Sequence, residues 1–268
     1  MQGNAKMTDM EMMDLPTLEQ SNVYFENLPP LDKPRETFAA LKLLAADTKV
    51  DDDIAKLSKE APAIVAFADG VSAENREAVL LGVEFAESVA NRKADVNQDA
   101  VKWLNEYSAA FRQAGWLTTG GHEYGSYTSK DKNLQMDSLV LELISSVAGP
   151  NAATVISLLG IVLDKLQKND PLIKLFESKS RRGTVSQFRI VPCIESSAGI
   201  PVTYLLSVHC DFKRSSGGAL FWKWSVAELD IKRLAKGVQF SQATFERNRG
   251  RILNYLEGDA DEFFSGLK

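Results

Sequence analysis

Apolar and polar residues alternate most regularly between Ile200 and Arg214. Val202, Tyr204, Leu206, Val208, Cys210 and Phe212 fall on one face of an extended strand, and Thr203, Ser207, His209, Asp211 and Lys213 on the other. Val185 to Glu195 alternates too, with Phe188, Ile190 and Ile194 on one side and Arg189, Cys193 and Glu195 on the polar side. Pro192 argues for a bulge or an edge position in that strand. The turn Ser197-Ala198-Gly199 joins the two runs. Gly217-Gly218 leads into Leu220, Trp222, Trp224 and Val226, and Gly237 precedes a short run of Val238 and Phe240. Adjacent runs with short turns predict an antiparallel meander, which needs one covered face.

Upstream, the period is that of helices. Phe38, Leu41 and Leu44-Ala45 mark one short helix, Ile54 with Leu57 a second, and Pro62 starts a further apolar turn through Ile64, Val65 and Phe67. Ser72 is an N-cap candidate, but Asn75 stands where a capping box needs Glu. Behind it Val79, Val83, Ala86 and Ala90 form the stripe of a helix running to about Arg92. The next helix starts at Asn97, carries Trp103, Tyr107 and Phe111 on one face as an aromatic core stripe, and stops at Gly115. Trp116 to Thr128, rich in Thr, Tyr and Gly and holding His122, predicts an irregular strand or hairpin.

The most apolar part of the chain follows. Met136 to Val147, a stop at Gly149-Pro150-Asn151, and Ala152 to Leu166 predict a helical hairpin with Asn151 capping its second arm. Leu139, Leu143, Val155, Leu158 and Leu159 make its core stripe. Arms of about 13 and 15 residues reach only about 20 Å, short of a bilayer core of about 30 Å. A buried hairpin covering the sheet is the expectation, and a membrane-inserting hairpin the alternative. Phe245, Ile252, Leu253, Leu256, Phe263 and Phe264 make one or two closing helices. Residues 1–34, with the Pro29-Pro30 pair, are expected to be an extended or disordered arm anchored by Tyr24 and Phe25. Residues 35–268 are then a single α/β domain of the α+β type, its helical first half and apolar hairpin packed on a C-terminal antiparallel sheet.

A chain of 268 residues with 44% hydrophobic residues has ample material for a core. The net charge of -5 is unevenly spread: 13 basic against 21 acidic residues up to Lys130, 18 against 15 after it. Arg181, Arg182, Lys213, Arg214, Lys232, Arg233 and Lys236 suit either an anionic surface or a solvated rim. Net acidity and the lack of a basic stripe interleaved with aromatics speak against nucleic acid. The amino terminus has no basic start followed by an apolar core, so no cleavable signal peptide is expected. A cytoplasmic or peripheral membrane location follows, and release to a host would need another route.

Two cysteines outside CxxC spacing make neither a disulfide framework nor a zinc site. Cys193 and Cys210 fall on different faces and out of register in the hairpin, so two free thiols are expected. His209-Cys210-Asp211 places a nucleophile beside a base, but neighbours on a strand point to opposite faces. A cysteine enzyme would need His122 from a distant segment. No G-x-S-x-G, Walker loop, GxGxxG or HExxH is present. Cys210, on the apolar side, is either a small core residue or an attachment point for something apolar, such as a fatty acyl chain.

The helical first half, the apolar hairpin, the following sheet with its closing helix, and V-H-C-D-F around Cys210 together resemble the Erwinia virulence factor family over residues 35–268. In that family the corresponding cysteine carries a thioester-linked palmitoyl chain, and the proteins promote bacterial persistence in the insect gut. The resemblance implies covalent palmitate on Cys210 and a peripheral membrane partner, with no other cofactor and no metal. The acyl chain would lie between sheet and hairpin, lined by Leu206, Val208, Phe212, Phe188, Ile190, Leu143, Leu158 and Leu159. Two alternatives stand beside this non-enzymatic reading: an enzyme using Cys210 as an acyl-thioester nucleophile, and a pore-forming toxin using the 136–166 hairpin.

Overall fold

A computed structural model of the protein describes residues 14–30, 55–57, 63–96, 98–118, 125–129, 136–170, 174, 181–182, 185–212 and 229–257. The side chains of some strand residues, Cys210 and Phe212 among them, fall outside that description. In chain order the elements are α1 (Leu18–Glu26), β1 (Ala55–Leu57), β2 (Ala63–Phe67), α2 (Ala73–Lys93), α3 (Ala100–Gln113), β3 (Trp116–Thr118), β4 (Gly125–Ser129) and α4 (Met136–Ser145). After a 3-10 turn at Gly149–Asn151 come α5 (Ala152–Lys168), β5 (Arg181–Arg182), β6 (Val185–Glu195), β7 (Pro201–Phe212), β8 (Leu229–Phe240) and α6 (Gln242–Glu257). The fold is α+β: a largely helical first half, an apolar helical hairpin, a sheet and a closing helix.

The sequence pattern drew one boundary, at Pro34. By contact the chain forms two compact units, one of Met1–Arg35, Glu77–Gly121 and Val238–Lys268, the other of Glu36–Arg76 and His122–Gly237. The first unit is helical. Trp103, Tyr107 and Phe111 are fully buried along α3, as the stripe predicted, and α2 buries Val79, Val83, Ala86 and Ala90. Gly115 ends α3 with φ 84°, where a Cβ would lie 2.6 Å from the Ser241 carbonyl oxygen, so no side chain fits. The helix itself begins later than expected, at an Asp99 N-cap that accepts from the Lys102 N–H at 2.9 Å. The expected extended arm contains a helix, α1, because Thr17 and Gln20 form a capping box. Phe25 does anchor it, stacking on Phe85 with centroids 5.5 Å apart.

The second unit is built on a sheet ordered β1-β2-β6-β7-β8, with β5 beside β6 and β4 beside β8. β6 and β7 pair antiparallel through the expected turn, where Gly199 has φ 73°. Three expectations need correction. Leu57 and the run Ile64, Val65 and Phe67 lie in strands, not helices; Ala63–Phe67 is buried at every position and parallel to β6, and a short run apolar on both faces carries no period to tell the two apart. Pro192 sits neither at an edge nor in a bulge: β6 lies between β2 and β7, its pairs with β7 lapse at Val191 and Pro192 but resume at Cys193 in the same register, and the Pro192 carbonyl accepts from the buried Thr203 hydroxyl at 2.8 Å. Finally, Val238 and Phe240 are the end of a twelve-residue strand that runs straight through Gly237. The runs at 38–45 and 220–226, with His122, Phe263 and Phe264, lie outside the described residues.

Candidate functional site

The hairpin arms α4 and α5 lie on the sheet as their stripe requires. Leu139, Leu143, Val155, Leu158 and Leu159 are all buried, at 6% exposure or less. They join one apolar cluster with Phe188, Ile190 and Ile194 from β6, Tyr204, Leu206 and Val208 from β7, and Ile64 and Ala66 from β2. The cross-strand pairs Phe188–Val208 and Ile190–Leu206 set the floor of this cluster. Seven of the eight side chains expected around an acyl chain therefore meet: Leu206, Val208, Phe188, Ile190, Leu143, Leu158 and Leu159. The eighth, Phe212, ends β7, and its side chain is among those not described.

Cys210 continues the same ladder. Its backbone pairs with Ser186, two residues beyond the Phe188–Val208 pair. Its side chain is outside the described part.

Tyr204 fastens the hairpin to the sheet. Its hydroxyl donates to the Ala148 carbonyl at 3.3 Å and accepts from the Asn151 side-chain amide at 2.9 Å. Asn151 makes no side-chain cap on α5, contrary to expectation: it belongs to the 3-10 turn, with helical φ -87° and ψ -1° in place of the extended backbone of an N-cap. The arms of 10 and 17 residues span about 15 and 26 Å at 1.5 Å per residue, and no described helix is long and apolar enough to cross a membrane.

Cys193 lies on the side of β6 read as polar, with Arg189, but that side is covered there. It is fully buried, opposite Phe67 on β2 and Thr203 on β7, and its thiol contacts the Ile194 carbonyl at 3.6 Å. Burial foremost, then the nearby Glu195 carboxylate, push its pKa up to about 12, with Arg76 opposing. It is a free, protonated and unreactive thiol. Since Cys193 pairs with Thr203, Cys210 lies seven positions along β7 from that pair, roughly 23 Å at strand rise and far beyond disulfide reach.

The middle of the polar side of β6 and β7 is covered. Gln187, Arg189, Thr203, Ser207 and His209 are all buried. Alternation alone reads as polar residues facing solvent and does not reveal this layer. The signal was present in Ala63–Phe67, because a strand apolar on both faces belongs to a sheet covered on both faces. Among the described residues no cluster of His, Cys, Asp and Glu could hold a metal ion.

At the turn end of the hairpin, the Glu195 carboxylate accepts from the Ser72 N–H at 2.9 Å and from the Asn75 side-chain amide at 2.6 Å. Ser72 caps α2 in turn, accepting from the Asn75 N–H at 3.4 Å. These hydrogen bonds hold the Glu195 carboxyl below the usual glutamate range, the Ser72 N–H being the largest cause.

No family model matches the chain, and no curated protein matches it either. Among solved structures, a delta-endotoxin is similar at 10% identity and a TM-score of 0.39, over 69% of this chain and 86% of that one. The Evf virulence factor is similar at 14% identity and a TM-score of 0.38, over 89% of this chain and 90% of that one.

Proposed function

We propose that this chain is a non-enzymatic virulence factor carrying a palmitoyl thioester on Cys210 and associating peripherally with membranes, as its resemblance to the Erwinia virulence factor family implies. The observation that carries the reading is the apolar cluster on the β6–β7 ladder that Cys210 extends. An acyl chain laid along it would bury apolar surface worth about 0.8 kcal/mol per methylene, on the order of 10 kcal/mol before cavity and entropy costs. The aliphatic lining of α4 and α5 suits such a guest, because Leu and Val side chains match methylenes in chemistry and tolerate volume-conserving repacking.

One acyl chain alone gives marginal membrane binding, so a second signal is needed. Arg181 and Arg182 in β5, and Lys232, Arg233 and Lys236 in β8, supply cations for anionic headgroups.

The test is the intact mass of the wild-type protein and of Cys210→Ser. Wild type is expected to carry an adduct of ~238 Da that hydroxylamine removes at neutral pH. Cys210→Ser is expected to lack the adduct, to fold with near-normal stability and to float poorly with anionic liposomes. Equal flotation of the two proteins, with no adduct on either, reduces Cys210 to a core thiol. An adduct lost within minutes as free fatty acid makes the chain an acyl-thioester enzyme instead.

A further inference from the structure

The helices of the first unit are not held alike. α3 buries eight of its fourteen residues, most of them apolar, whereas α1 buries one of nine, the polar Ser21. On α1, Leu18 and Val23 are left 53% and 55% exposed. Even a good helix-forming sequence is marginal alone in water below about 12–15 residues, so α1 depends on its seat.

That seat is made by α2 and α6. Phe25 stacks on Phe85, the Arg251 guanidinium lies 5.8 Å from the centre of the Phe25 ring, and the Lys93 ammonium 5.1 Å from that of Tyr24. Arg247 donates to the Pro16 carbonyl at 2.6 Å. The buried Asn248 amide donates to Ser21 Oγ at 3.2 Å and to the Gln113 carbonyl at 2.8 Å. Five buried polar atoms, all on α1 or on the residues just named, find no hydrogen-bond partner among the described residues: Asn22 Oδ1, Tyr24 Oη, Gln113 Oε1, Asn248 Oδ1 and Arg251 Nη1. Their desolvation is uncompensated within the chain, which offsets part of what the rings and cations contribute.

We propose that α1 is a releasable strap: it leaves α2 and α6 and unwinds in openings that keep α3 folded. Release bares the ring of Phe85, which is fully buried while Phe25 stacks on it, beside Tyr255, Lys93 and Arg251. α1 is thus the cover of an aromatic face edged by cations. The strap does not rest on the acyl reading.

The experiment is native-state hydrogen exchange on the full chain in increasing, sub-denaturing urea. The α1 amides, from the Ser21 N–H bonded to the Thr17 carbonyl at 2.9 Å onward, are expected to be about a hundredfold or more less protected than those of α3. Their exchange should hardly change with urea, because a local opening exposes little surface. Phe25→Ala is expected to speed α1 exchange about tenfold and to leave α3 unchanged. Tyr24→Phe removes an unpartnered hydroxyl and keeps the ring beside Lys93, so it is expected to speed neither helix. The proposal is overturned if α1 and α3 exchange together with the same urea dependence, or if Phe25→Ala speeds both alike. It is overturned equally if Tyr24→Phe speeds α1 as much as Phe25→Ala does, because the hydroxyl is then a bonded part of a firm seat. Should Phe25→Ala fail to fold, Phe25→Leu, which loses the stacking but keeps an apolar side chain, is read in the same way.

Discussion

The two compact units build their cores from different side chains. In the unit containing α3 and α6 the core is aromatic: Trp103 stacks on Tyr107 with centroids 5.2 Å apart, Phe111 lies nearly parallel to Trp116 at 5.4 Å, and Phe85 meets Tyr255 edge-on at 5.5 Å. The unit containing α4 and α5 has a core of Leu, Ile and Val, with Phe188 and Tyr204 as its rings. Stacked rings depend on a fixed distance and angle, whereas branched aliphatics need only the right volume. The first core should therefore punish small changes of shape, and the second should forgive them.

The largest effect is expected from Phe111→Ala, which removes a fully buried ring lying between Tyr107 and Trp116. A loss of about 3–5 kcal/mol in denaturant unfolding is expected. Leu159→Ala in the aliphatic core should cost roughly 2–5 kcal/mol, while Leu159→Met should cost under about 1.5 kcal/mol. If Leu159→Met proves as damaging as Leu159→Ala, the aliphatic core is no more adaptable than the aromatic one and the contrast fails. Gly82→Ala sharpens it from the other side. A Cβ there would stand 2.8 Å from Trp116 Nε1 and 3.1 Å from the Phe111 ring, and a cost of about 1–3 kcal/mol is expected from one methyl group.

A smaller loss, on the order of 1 kcal/mol, should follow Tyr204→Phe, which leaves the Asn151 side-chain amide without its partner and the Ala148 carbonyl with the Asn151 backbone N–H alone. Greater hydrogen exchange at the turn between α4 and α5 would identify the cause.

Glu195→Ala has the smallest expected effect, and it depends on pH. Because the folded state lowers the Glu195 pKa, its contribution is present above the ordinary glutamate value and is lost as pH falls through the lowered one. Wild type and Glu195→Ala should thus differ in denaturant midpoint at pH 7 and converge in acid. A difference that persists below the carboxylate range would assign the effect to packing.

The residues that were legible are those whose period has a single explanation. The stripes in α2, α3, α4 and α5, and Phe188, Ile190, Ile194, Tyr204, Leu206 and Val208 on the apolar face of β6 and β7, are amphipathic in one way only, and these lie buried where their spacing put them. β2 was illegible because a strand apolar on both faces has no period to read. Pro192 misled because the rule against central prolines concerns a missing donor, and here the pairs with β7 lapse at Val191 and Pro192 while the Pro192 carbonyl takes the Thr203 hydroxyl. Thr17-Leu18-Glu19-Gln20 is a capping-box sequence that stood in plain view, passed over amid the acids and prolines around it.

At the candidate site, the apolar ladder could be read from alternation. The buried polar face could not be read from alternation, because Gln187, Arg189, Ser207 and His209 alternate just as solvent-facing residues do, and its signal lay in the two-faced apolar run Ala63–Phe67.

The Glu195 contact also bears on the order in which the chain folds. A capping box is usually local, its acid three residues after the cap, so a helix start can be nucleated by its own sequence. Here Asn75 occupies that position, and the carboxylate that reaches the Ser72 N–H comes from a strand 123 residues later. The first turn of α2 therefore acquires its full set of partners only after β6 has formed and found β2, a closure of long sequence separation that comes late. During synthesis that turn waits for the rest of the sheet to emerge, and a kinetic study should find Glu195→Ala speeding unfolding while leaving the rate of folding nearly untouched.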